Sequence, residues 1–117
     1  MVKIGPRGSA LISTGEIAAA GSYTSEAYSA RELGGYFSLQ WLVTGDGTMK
    51  AEVLVSNDGT TFLEIDPDIT TGQTKTSGTS GANMSSFEVT PCEQFKIKFT
   101  ETGASKSITV VARVRAI

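Results

Sequence analysis

Between residues 94 and 102 the chain reads QFKIKFTET. Phe95, Ile97 and Phe99 take every second place, and Lys96, Lys98 and Thr100 fill the places between. A period of two belongs to a β-strand with one face buried and the other wet, whereas a helix needs its apolar residues three and four apart. The same period recurs in 36-YFSLQWLV-43, where Phe37, Leu39, Trp41 and Val43 alternate with Tyr36, Ser38, Gln40 and Leu42. It recurs again in 48-TMKAEVLVS-56, with Met49, Ala51, Val53 and Val55 on one face and Lys50, Glu52 and Leu54 opposite. In 107-SITVVARVRAI-117, Ile108, Val110, Ala112, Val114 and Ala116 share a face, and Arg113 and Arg115 fall on the other. Strands with one apolar face need a second layer to cover it.

Weaker signals fill in the rest. Residues 61–65 (TFLEI) and 86–90 (SFEVT) read as short strands, the latter with Phe87 and Val89 inward. Residues 12–19 suit a first strand. Residues 22–33 suit a second, or a helix over 24–33, since Ser25, Glu26 and Ala27 resemble a helix start. Gly45-Asp46-Gly47 reads as the tight loop of a hairpin between 36–43 and 48–56. Gly103-Ala104-Ser105 reads as a turn leading back into the last strand. Residues 70–86 are polar and glycine-rich and read as a long loop, with one edge strand near 73–77. Gly5-Pro6 and Gly8 interrupt any ladder, so residues 1–10 are expected to form a flexible N-terminal arm. Residues 11–117 then form one all-β domain, an antiparallel β-sandwich of jelly-roll-like character with seven or eight strands.

Composition excludes several function classes. The net charge is −2, so no global basic field attracts nucleic acid. No apolar run approaches the ~18 residues of a membrane span, and none follows the start, so the chain is expected to be made and assembled in a cytoplasm. Histidine is absent, which removes the commonest general base and the usual zinc ligand. The single cysteine, Cys92, has no disulfide partner and reads as a small half-buried hydrophobe. No nucleophile elbow or phosphate-binding glycine loop occurs, and Glu52 with Glu64 reads as an ordinary wet sheet face. The expectation is a protein that is not an enzyme and uses no cofactor.

Two polar features invite a binding role. In 55-VSNDGTTFLEI-65, Asn57-Asp58-Gly59 has the residues of a turn between two strands. A calcium site needs several converging oxygens, and Asp46, Asp58, Asp66 and Asp68 match no such loop spacing even if they gather at one end of the sandwich. The turn is the reading taken. Lys96, Lys98, Arg113 and Arg115 would project from one outer face if their strands pair as a hairpin. That face reads as a solvated sheet surface or a docking patch for an acidic partner.

The run 35-GYFSLQWLVTGDGTMKAEVLVSNDGTTFLEI-65, followed by 96-KIKFTETGASKSITVVARVRAI-117, resembles small β-sandwich structural proteins of tailed bacteriophages. The resemblance spans about the last two-thirds of the chain, and Ala104 stands where a second glycine is common. It implies a virion protein without catalytic residues: a capsid decoration or cement protein on the head surface, binding the major capsid protein as a homo-oligomer, dimer or trimer. Contacts are expected from residues 1–21 and 70–86 and, by residue, from Val2, Ile4, Arg7, Leu11, Lys96, Lys98, Arg113 and Arg115. The Ser-Asn-Asp-Gly-x-x-Phe piece also occurs in discoidin-like carbohydrate-binding jelly rolls. A glycan-binding module would stack sugars on Tyr23, Tyr28 and Tyr36. A tail- or neck-associated virion protein would share the fold.

Overall fold

The computed structural model describes residues 3–4, 8–30, 36–64, 70–78, 80–88 and 92–116. The chain runs β1 (Ser9–Ile17), β2 (Ser22–Thr24), β3 (Tyr28–Ser29), β4 (Tyr36–Gly45), β5 (Met49–Ser56), β6 (Leu63–Glu64), β7 (Thr70–Gln73), β8 (Ala82–Glu88), β9 (Gln94–Glu101) and β10 (Ile108–Ala116). No helix occurs among the described residues, so the helical alternative over 24–33 gives way, as far as it is described, to β2 and β3.

Two antiparallel sheets face each other. One has the order β1-β10-β4-β8. The other runs β2-β9-β5-β6, with β3 also on β9 and β7 also on β5. If β2 with β3, and β6 with β7, are each taken as one interrupted strand, the result is four strands on four in jelly-roll order. The inner faces meet in one core of Phe37, Leu39, Trp41, Val43, Met49, Ala51, Val53, Phe95, Ile97, Phe99, Ile108, Val110, Ala112, Val114 and Ala116, closed by Ile12, Ile17, Ile4 and Tyr28. The alternating residues of β4, β5, β9 and β10 are thus inside where their period placed them, with Val55 half-buried against the core. The Phe95 ring stacks with Phe37 of the opposite sheet at 5.3 Å, tying the layers together, and lies tilted against Tyr28 at 5.4 Å.

The expected Gly-Asp-Gly hairpin is not one. β4 and β5 lie in different sheets, and residues 45–48 carry the chain across the sandwich as an arch. The strand period says which side chains go inward; it does not say whether the next strand is a hydrogen-bonded neighbour or the layer opposite. The glycines serve the arch. Gly45 has φ +92°, and a Cβ on Gly47 would come within 2.7 Å of Ile108 Cγ2 and of the Lys106 carbonyl oxygen. β9 and β10 are likewise in different sheets, joined by an arch over 102–107. The long loop expected over 70–86 is mostly strand: β7 joins the six-stranded sheet and β8 the four-stranded one, and between them Ser77 N–H donates to the Thr74 carbonyl and Gly81 N–H to the Ser77 carbonyl. Among the described connections, the Asn57-Asp58-Gly59 turn is the one that folds a strand back on its bonded neighbour, pairing Val55 with Leu63 in β5 and β6.

The arches over 18–21, 45–48 and 102–107 share one carboxylate. Glu101 is 1% exposed. Its Oε2 accepts the N–H groups of Thr48 (2.8 Å) and Gly103 (2.7 Å), and its Oε1 those of Ala104 (2.7 Å) and Ala20 (3.1 Å). The Thr48 N–H, helped by those of Ala20, Gly103 and Ala104 and opposed by desolvation, holds the Glu101 carboxyl down to about 2. Ala20 (φ +61°) and Ala104 (φ +63°) both sit in the left-handed region that L-residues avoid. The carboxylate collects the N–H groups of these two strained residues. Replacing Ala104 by glycine removes strain at an exposed site, and the expected result is a gain of about 0.5–1 kcal/mol in chemical denaturation.

The N-terminal expectations divide. β1 starts at Ser9, inside the stretch assigned to the arm, and Ala116 N–H donates to the Gly8 carbonyl at 3.0 Å. Ile4 is 2% exposed and belongs to the core, so it is not free for a partner. Val2 and Arg7 lie outside the described residues, as do Asp66 and Asp68, the Phe87 side chain and Val89.

Candidate interaction face

With β9 and β10 in opposite layers, the four cations do not share a surface. Lys96 and Lys98 leave the outer face of the six-stranded sheet; Arg113 and Arg115 leave that of the four-stranded sheet. The first pair is already engaged. Lys98 Nζ is 3.9 Å from Glu64, and Lys96 Nζ sits 4.1 Å over the Phe62 ring. Nearby, Lys50 Nζ lies 3.7 Å from Glu52, which is buried rather than wet as expected. Lys98 pairs in register with Glu52 and reaches Glu64, so a cation stands between these carboxylates.

The outer face of the four-stranded sheet differs in kind. Register sets Leu11, Arg113, Gln40 and Met84 in one row across β1, β10, β4 and β8. The next rows are Ser13, Val111, Leu42 and Ala82 on one side and Ser9, Arg115, Ser38 and Ser86 on the other. Leu11 is 56% exposed, Met84 58%, and Leu42 and Val111 41% each. With Tyr36 they make up five of the six large hydrophobic side chains exposed among the described residues. Arg113 Nη1 donates to Ser9 Oγ at 3.1 Å, and no carboxylate of the described residues forms an ion pair with Arg113 or Arg115. Two shallow grooves cross the face. One of about 400 Å³ is lined by Ser9, Ser38, Gln40, Met84, Arg113 and Arg115, and one of about 370 Å³ is walled by Leu11, Leu42 and Val111. Exposed apolar side chains around unpaired cations are the chemistry of a contact surface.

Of the predicted contact residues, the structure brings Leu11, Arg113 and Arg115 together and separates Lys96 and Lys98 from them. The sequence reading named neither Leu42 nor Val111 for this face and reached Met84 only within the range 70–86. For Leu42 and Val111 the signal was present: each is apolar at an outward place in its strand's alternation, where a solvated face would carry polar residues.

Other candidate sites are weaker. An open pocket of about 420 Å³ beside the β5–β6 turn is lined by Val55, Ser56, Asn57, Asp58, Thr61, Leu63 and Cys92. The Asp58 carboxylate there is engaged by its own turn: Oδ1 accepts the N–H groups of Thr60 and Thr61 and the Ser56 hydroxyl, each at 2.8 Å. The Thr61 N–H first, then Thr60 and Ser56, draws its carboxyl down to about 2. Burial pushes the Cys92 thiol up, which keeps it protonated and a poor nucleophile. Asp46 pairs with Lys75, and Asp46 and Asp58 lie beyond opposite ends of β5, so these two acids do not converge. Among the described residues no group of three acidic or cysteine side chains could hold a metal ion. The aromatic platform for a glycan is not assembled, because Tyr28 is buried and Tyr23 packs against the core.

No protein-family model and no curated protein matches the chain. Solved structures do. A periplasmic inhibitor of g-type lysozyme from Aeromonas hydrophila is similar at TM-score 0.53 and 13% identity, over 99% of this chain and 95% of that one. The pre-peptidase C-terminal domain of a Bacillus anthracis collagenase is similar at 0.53 and 11%, over 96% and 92%. The enzymatically active domain of tailspike protein 4 from bacteriophage CBA120 is similar at 0.51 and 17%, over 88% of this chain and 15% of that one. The likeness is one of fold. A sandwich used by an inhibitor, a protease's accessory domain and a phage tailspike does not choose a function, so the site must.

Proposed function

We propose that the protein is a non-enzymatic virion structural module that coats a phage head, docking on the major capsid protein through the outer face of its four-stranded sheet. The observation that carries this reading is that face: exposed Leu11, Leu42, Met84 and Val111 surround two arginines that no described carboxylate neutralises. Such a surface suits a partner with apolar contacts ringed by Asp and Glu. The resemblance of residues 35–65 and 96–117 to tailed-phage structural proteins supplies the setting, and jelly rolls are common among viral shells. Many copies on a repeating lattice turn weak single contacts into firm attachment. In this reading the protein is made in the host cytoplasm and ends on the capsid surface.

The test is binding to capsids assembled without the protein. Arg113→Glu/Arg115→Glu is expected to weaken attachment at least about tenfold, while Lys96→Glu/Lys98→Glu on the other sheet leaves it unchanged. Equal loss from both pairs, or from neither, refutes the assignment of the face. Copies per particle separate a head coat, present in hundreds, from a neck or tail component present in a handful.

A further inference from the structure

A sandwich has four sheet edges, and three here are guarded against pairing. β1 shifts register between Ser13 and Glu16, with Gly15 at φ +65°. β2 and β3 are three and two residues long, and Ser25 between them is bonded to Ile97 in both directions. β6 has two residues, and β7 has four with a register shift against β5. β8 is the exception. It keeps unbroken register with β4 over seven residues, and positions 82–87 contain no charged residue, proline or glycine.

The direction of its backbone follows from one bond. Val43 N–H donates to the Gly81 carbonyl at 3.1 Å, which makes 43 and 81 a hydrogen-bonded pair of the ladder. Bonded and non-bonded pairs alternate in antiparallel sheets. So 83, 85 and 87 bond to β4, and the backbones of Met84, Ser86 and Glu88 turn outward. Met84 N–H accordingly finds no strand and donates to its neighbour's Asn83 Oδ1 at 2.8 Å. Gly78 of the preceding turn packs on the carbonyl of Ala82, so the open stretch begins at Met84.

We infer that this edge is a self-association site, on which β8 of a second copy pairs antiparallel about a two-fold axis at Ser86. That register sets Ser86 on Ser86 and Met84 on Glu88, all outward-turned positions, and forms about six backbone hydrogen bonds. In this register position 88 falls opposite position 84 rather than its own twin, so no acidic position is set opposite another. The two four-stranded sheets become one of eight strands. Because the axis is normal to the sheet, both arginine-bearing faces look the same way. The two β10 strands stand five strand spacings apart, roughly 24 Å, well beyond the ~8 Å over which salt screens charge. Arginine repulsion therefore does not oppose the pairing.

This inference stands apart from the virion reading and is tested on the protein alone, by sedimentation equilibrium. The native chain is expected to sediment as a dimer. Ser86→Pro removes an N–H that turns away from β4, a place where edge strands tolerate proline. It is expected to keep the native circular dichroism while raising the dimer dissociation constant about tenfold or more. Ser86→Lys, which places a charge at the seam, does the same without altering the backbone and decides the matter if the proline variant does not fold. A native monomer or trimer, or a folded Ser86→Pro or Ser86→Lys variant that dimerises as tightly as the native chain, overturns the inference.

Discussion

Phe95→Ala is expected to cost about 3–5 kcal/mol, a large share of the roughly 5–15 kcal/mol that holds a domain this size folded. Phe95 is fully buried on β9, stacks with Phe37 across the sandwich and lies tilted against Tyr28 of its own sheet. Truncation removes the apolar transfer term and leaves a cavity walled by two rings that the sheet backbones hold in place. Collapse around it is therefore limited, which puts the cost toward the upper part of the usual range. Urea denaturation checks this. The midpoint should fall steeply with little change in slope, because the surface exposed on unfolding hardly alters. A midpoint within the range of ordinary surface substitutions would mean that this stack does not join the layers.

Glu101→Ala is expected to lower the melting temperature by on the order of 10 °C, since four N–H groups in three separate arches lose their acceptor together. The same clamp predicts a pH dependence. The Glu101 carboxyl is depressed from an ordinary 4.5 to about 2 in the folded chain. A depressed carboxyl stabilises the fold fully above its unfolded value, and that contribution is lost as pH falls through the folded value. Stability should thus decline between about pH 5 and about pH 2. Asp58 adds a decline of the same sign. In Glu101→Gln the Glu101 share of this slope disappears, and the Asp58 share remains. An acid slope as steep in Glu101→Gln as in the native chain would show that the carboxylate is not the clamp.

The alternation of β4, β5, β9 and β10 announced both the layered fold and nearly every core residue, because inward and outward places along a strand are a local property. The Asn57-Asp58-Gly59 turn was legible for the same reason: Ser56 and Asp58 satisfy that turn from within it. The Gly45-Asp46-Gly47 stretch looked equally local and was not. Its glycines answer to Lys106, Ser107 and Ile108, some sixty residues downstream. β7 and β8 were legible only at their ends, as an edge strand near 73–77 and a short strand at 86–90, because Thr, Ser, Gly and Asn carry no period and only neighbours in β5 and β4 make strands of them.

The candidate face shows the same division. Arg113 and Arg115 could be placed outward from their own strand, and so could Val111 beside them. That they keep company with Leu11, Leu42 and Met84, and not with Lys96 and Lys98, depends on which strands are bonded to β10. A residue's inward or outward turn is written in its immediate neighbours along the chain. Its neighbours across the sheet are chosen by the global closure of two layers over one core, through backbone hydrogen bonds that are alike for every residue and so leave no trace in the order of side chains.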